Sequence, residues 1–118
     1  MVAEFAENYS NDLKIFYHGI YEYKKGVRKL ILCTEKSVYK DKIEKRLTQE
    51  KIAFSIQNIS GNLLNVFFGA SECIELVSDF VAKKLNQLSA EEDFMLGTML
   101  GYDLIEQCKR YKTIKTNS

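Results

Sequence analysis

The chain has no proline. Its turns must therefore rest on glycine, asparagine and serine, and no cis-proline can slow its folding. It has only three cysteines, Cys33, Cys73 and Cys108, widely spaced and with no C-x-x-C pair. That is neither a disulfide framework nor a zinc site, and it fits a reducing cytoplasm. Apolar runs are never longer than a few residues, which excludes a membrane-spanning segment. The opening residues, MVAEFAENYSNDLK, are acidic where a signal peptide is basic, and they lack an apolar centre. A net charge of +1 gives no large electrostatic footprint for nucleic acid or anionic lipid.

What remains is the composition of an ordinary globular protein, with 46% hydrophobic and 28% charged residues. At 118 residues it is one domain, large enough to bury a core without staples. Residues 1–10 read as a disordered lead-in, 11–112 as a single α/β domain and 113–118 as a frayed tail.

Leu13, Phe16, Ile20 and Tyr23 fall at helical spacing, and Lys24, Lys25 and Gly26 form a good helix stop. Alternation at Ile15, Tyr17, Tyr21 and Tyr23 makes a strand the second reading. KLILCT, Lys29 to Thr34, is apolar on both faces and reads as a buried strand. Val38, Tyr39, Ile43 and Leu47 give an amphipathic helix between Lys36 and Glu50. Ile52, Phe54 and Ile56 alternate with polar or small residues as a half-exposed strand. Ser60 and Gly61 supply a turn in which Gly61 can take positive φ, and the chain returns through Leu63 to Phe68, apolar except for Asn65.

Ser71 is placed to cap a helix with the stripe Ile74, Val77, Val81, Leu85 and Leu88, which a break near Phe80 to Lys83 would divide. Ser89 and Glu92 form an S-x-x-E capping box. The last helix then reads as continuous from Ser89 to about Tyr111, with apolar residues over more of its circumference than one core needs. The order predicts an α+β fold: a three-stranded, mainly antiparallel sheet packed by about five helices, a ferredoxin-like plan lacking one strand. A right-handed crossover puts the strand near Phe67 between the other two. KLILC then lies at an edge and needs cover from the first helix or from a partner subunit.

The segments HGIYEYKKGVRKLIL, NVFFG and EEDFMLGTMLGYDLIEQC, in this order and spacing, resemble a small bacterial family of unknown function. Its members carry HHIYEYKKGLR, INVFFG and EEDFILGTMLGYD, and the resemblance runs from about Phe16 to Tyr111. It implies a three-stranded α/β domain, a homodimer, and an association with flavodoxin, beside which some members are encoded. It brings no established activity and no catalytic residues. This chain departs from the pattern in having Gly19 where the second histidine stands, which speaks against a two-histidine metal site.

Four places invite a function. The turn at Gly69, Ser71 and Cys73 can hold an anion on free N–H groups and activate a thiolate, or Ser71 caps the helix and Cys73 is a small buried hydrophobe. His18, with Glu22 four residues on, forms a possible general base or part of a tyrosine-rich interface. Lys24, Lys25, Arg28 and Lys29, flanked by Tyr21 and Tyr23, have the basic and aromatic mixture of a single-strand nucleic-acid site, but docking of an acidic protein is the more natural use. Gly97 and Gly101 share a face in the last helix, with Met95, Met99 and Leu100 around them, as in close helix packing or a dimer interface.

The expectation is therefore a non-enzymatic, homodimeric binding or accessory protein without cofactor or metal. An acidic partner such as flavodoxin would dock on the basic patch. The rival is a small enzyme or anion-binding domain centred on Gly69 to Cys73, with His18 as base.

Overall fold

The computed structural model describes the backbone of residues 2–80 and 82–117, and side chains from Leu13 onward within those spans. Helix α1 runs over Val2–Lys24, with non-helical dihedrals at Leu13, close to where the amphipathic stripe begins. Strand β1 (Leu30–Lys36) follows, then a single 3-10 turn and α2 (Lys40–Gln49). A hairpin of β2 (Ala53–Asn58) and β3 (Leu63–Gly69) leads into α3 (Ser71–Val77). After a 3-10 turn at Leu85–Gln87 come α4 (Ala90–Met99) and α5 (Leu104–Asn117).

The sheet order is β1-β3-β2, with both outer strands antiparallel to β3. The central place of β3, expected from the right-handed crossover, sorts the rest of the chain into layers. Leu64, Val66 and Phe68 face a core completed by Leu13, Phe16 and Ile20 of α1 and Ile43 and Leu47 of α2. Phe67 faces the other way, into a core with Ile74 and Val77 of α3, Leu96 of α4 and Leu100 just past its end. Helices thus cover both faces of the sheet, and strand alternation divides β1 between the two cores: Ile31 and Cys33 to the first, Leu30 and Leu32 to the second. Burial, with Glu35 beside it, pushes the Cys33 thiol up to about 12, so it stays neutral and inert.

The edge at β1 is better guarded than KLILCT suggested. The strand continues through Glu35 to Lys36, and exposed Lys36 puts a charge on the edge. Its start is covered: Leu30 is fully buried, and α1 packs along the strand.

Four expectations need correction, and one reaches outside the described residues. The helix read from Ser89 to Tyr111 is two helices. Gly101 (φ +81°) ends α4 in a Schellman motif, with Tyr102 N–H donating to the Gly97 carbonyl and Gly101 N–H to that of Thr98. Asp103 then caps α5, accepting from the Glu106 N–H at 2.9 Å. Ser71 does not cap α3; Ala70 is the N-cap, and the Ser71 hydroxyl donates to Glu72. Val38 is 81% exposed, because a 3-10 turn precedes α2 and rotates it off the buried stripe. Gly61 does not use positive φ, since the three residues between the paired Ile59 and Leu63 close the hairpin without it. In the stripe from Ile74 to Leu88, α3 ends at Val77, as a divided helix requires, while Val81 lies outside the described residues. The Ser89–Glu92 capping box is formed in both directions, at 3.1 and 2.9 Å.

The stop signal seen at Gly26 is used three times. Gly26 (φ +78°) ends α1 with the same pair of hydrogen bonds, and Lys51 ends α2 with them at φ +60°. A side chain in that left-handed conformation costs about 1–2 kcal/mol, which glycine avoids. Lys51→Gly should therefore raise stability by about 1 kcal/mol in chemical denaturation, after the loss of chain entropy is counted. An unchanged or lower midpoint would contradict the assigned backbone.

Candidate functional site

The sequence grouped four cations at the end of α1, and the structure gives them different tasks. Lys24 reaches across to α2 and pairs with Glu50 at 2.7 Å, where Arg46 also binds at 3.0 Å. These two hydrogen bonds hold the Glu50 carboxyl below its ordinary range. Arg46 lies over the ring of Tyr17, 5.2 Å from its centroid. Arg28 pairs with Glu22 at 3.3 Å and donates to the Leu100 carbonyl, also at 3.3 Å. It therefore ties the end of α1 to the end of α4, one helix from each side of the sheet. That leaves Lys25 and Lys29 as exposed cations of the patch without an ion pair among the described residues. Lys25 sits over Tyr21, 5.6 Å from the ring centroid. Tyr21 is 57% exposed and Val27 65%, whereas Tyr23 packs against the first core. The surface that an approaching molecule meets is Tyr21, Lys25, Val27 and Lys29.

His18 stacks on Tyr21 and lies 3.9 Å from Glu22, its side chain 67% exposed. Its neighbour Gly19 points the opposite way. A Cβ there would come within 2.9 Å of both Ile31 and Phe68, so position 19 faces an apolar core and not a metal site.

The turn at Gly69 is built differently. Gly69 (φ +147°) lies against the start of β1, where a Cβ would strike the Lys29 carbonyl, and the Ala70 N–H donates to that same oxygen. Cys73 is half-buried among the second core. His18 belongs to α1 on the other face, so the sheet separates it from Cys73 and the two share no pocket. Ser71 is exposed, occupied with Glu72.

In the carboxy-terminal hairpin, Gly97 supplies the close approach that its helical position suggested. The Gln107 side chain of α5 occupies the space a Cβ would take. Gly101 instead makes the turn and has open space around it. Leu100 is buried and Met99 packs on the second core, while Met95 is 38% exposed.

Helix α5 rests on α4 largely through polar links: Arg110 to Asp93 at 2.7 Å, Lys115 to Glu91 at 2.8 Å, and Tyr111 to Glu91 at 3.0 Å, with Phe94 edge-on to Tyr111. Of its residues only Gln107 is buried. Tyr102, Leu104 and Ile105 are 50, 57 and 61% exposed, and Cys108 is exposed beside them. They adjoin a cleft of about 460 Å³ with Leu32, Leu85, Leu88 and Tyr102 in its lining. Reading one continuous helix hid this surface. The signal that would have found it is Gly101-x-Asp103-x-x-Glu106, a helix stop followed at once by a helix start.

A family model described as a protein of unknown function, DUF2023, matches residues 14–114. The chain belongs to that family. No curated protein matches it. The matched span of the DUF2023 domain takes in all three strands and both surfaces just described. Among the described residues, no helix is long and apolar enough to cross a membrane, and no three His, Cys, Asp or Glu side chains gather around a common metal position.

The hairpin carries its own pH dependence. Glu91 is held below the ordinary glutamate range chiefly by its hydrogen bond to Lys115, and Glu92 chiefly by the Ser89 N–H. The stability these carboxylates add is present above that ordinary range and is lost as pH falls through their lower folded values. Acidification should therefore release α5 before the sheet unfolds, seen as a shift of the Tyr111 and Phe94 ring signals by NMR. Glu91→Gln should weaken that shift. Ring signals that move only with global unfolding would contradict this.

Proposed function

We propose that this DUF2023 domain is a non-enzymatic binding or accessory protein of the bacterial cytoplasm that works as a homodimer. The observation that carries the reading is α5: fourteen residues of helix with one buried side chain and an outward row of Tyr102, Leu104, Ile105 and Cys108. Clustered exposed apolar side chains of this kind are typical of contact surfaces. A second copy is a suitable occupant because row and cleft adjoin on one surface. Two protomers related by a two-fold axis can place each row against the other's cleft. Leu104→Glu combined with Ile105→Glu should convert a species of twice 13.7 kDa into one of 13.7 kDa in light scattering, with unchanged circular dichroism. A wild-type chain of 13.7 kDa would dispose of the homodimer.

The accessory role rests on a second surface, between the end of α1 and the start of β1. Tyr21, Lys25, Val27 and Lys29 combine aromatic and apolar area with two cations, which suits an acidic protein whose approach is steered by charge. Flavodoxins are acidic, and the family resemblance points to the same partner. Arg28, although basic, is engaged within the fold and is a poor probe of docking. Lys25→Glu with Lys29→Glu should slow association with a flavodoxin about tenfold or more at low salt, and high salt should erase the difference. Equal association rates for variant and wild type at low salt would remove the patch from the interface.

A further inference from the structure

The sheet face toward the second core breaks its own pattern at one cross-strand row. Leu32 and Phe67 are paired on it, with only the small Ser55 of β2 polar in their row. Two residues further along, the facing positions are Thr34, Asn65 and Gln57, polar on all three strands. Asn65 and Gln57 are 6 and 9% exposed. Burying two side-chain amides is unfavourable unless their hydrogen bonds are met, and an apolar row would avoid the demand. Departures of this kind from local consistency are expected at functional places.

The row is fixed in direction. Thr34 Oγ1 donates to Asn65 Oδ1 at 2.7 Å, Asn65 Nδ2 donates to Gln57 Oε1 at 3.1 Å, and Gln57 Nε2 donates to the Lys83 carbonyl. The amides are thereby held with their donors and acceptors assigned. Lys83 belongs to the segment before α4, which is pinned at its far side by the Lys83–Glu92 ion pair at 2.9 Å. Between that segment and the β2–β3 hairpin lies a cleft of about 340 Å³, lined by Gln57, Asn58, Asn65 and Asn86 together with Lys84, Leu85 and Ile59. Its lining holds four side-chain amides, one cation and no carboxylate.

We propose that this cleft binds a small molecule presenting an amide-like edge, a donor beside an acceptor, together with one negatively charged group. A side-chain amide offers an acceptor and a donor in one plane, which pairs with another such edge at two points, as Asn and Gln pair with a base edge. The preset row supplies that plane. Lys84 supplies the charge, and with no carboxylate in the lining an anion meets no repulsion there. The volume lies near the lower limit for ligand pockets, about 300 Å³, and admits a single ring or a short chain.

The test is an NMR titration of the whole chain, following the side-chain amide signals of Asn65, Gln57 and Asn86. The probes are orotate and succinamate, which carry both features, with uracil for the edge alone and benzoate for the charge alone. Orotate or succinamate should shift the Asn65 and Gln57 signals saturably, uracil more weakly and benzoate not at all. Lys84→Ala and Asn86→Ala, both at exposed positions, should leave the free spectrum folded, and Lys84→Ala should weaken binding about tenfold. Failure of both full probes to move Asn65 and Gln57 overturns the proposal. So does a benzoate affinity equal to that of orotate, or wild-type affinity in both variants.

Discussion

Strand β3 makes the largest demand on this chain, because it lies between two other strands and has apolar side chains on both faces. A strand of that kind needs cover above and below, and one helical layer would leave Phe67 or its neighbours in water. Two separate cores follow. One is closed by α1 and α2, the other by α3 and α4, and β1 contributes alternate residues to each. The Arg28 bridge from Glu22 to the Leu100 carbonyl is one place where the two layers are joined directly around the edge of the sheet. The patch at the end of α1 lies with the first layer and the α5 row with the second, and Arg28 bridges between them.

The elements that make up the cores were legible because their periodicity and burial agree. The stripe Leu13, Phe16, Ile20 is buried as its spacing requires, and the three strands lie where apolar runs bounded by turns put them. The central position of β3 followed from the crossover rule. The helical hairpin was not legible as a hairpin, since Met95 to Ile105 is largely apolar and its periodicity continues across Gly101 without a visible gap. Only backbone chemistry marks the stop there. The capping expectation at Ser71 misplaced the start of α3 by one residue, which is the usual uncertainty of helix boundaries.

Charge was the least legible quantity. Four adjacent cations looked like one patch, yet Lys24 is held by Glu50, twenty-six residues on, and Arg28 by nearby Glu22 and the distant Leu100 carbonyl. Linear clustering counts charges but not their partners. The polar row on the sheet was half visible: Asn65 stood out in an apolar strand, but its alignment with Thr34 and Gln57 depends on register, which a single sequence does not reveal. The separation of His18 from Cys73 was equally out of reach, because it depends on which face each helix takes.

The central strand is also the last of the three to be made. As the chain leaves the ribosome, β1 and β2 emerge first, and neither can pair with the other in the finished sheet. Until Leu63–Gly69 appears, KLILC and the inner face of α2 have no sheet to join, so the amino-terminal half must wait with its apolar residues uncovered. The β2–β3 hairpin is the first long-lived pairing available, and β1 must then return across more than thirty residues to complete the sheet, about the separation of Leu30 from Gly69. For this protein the vulnerable interval in the cell falls between the synthesis of its first strand and its third. Chaperone dependence and aggregation should be governed by that interval more than by the stability of the finished fold.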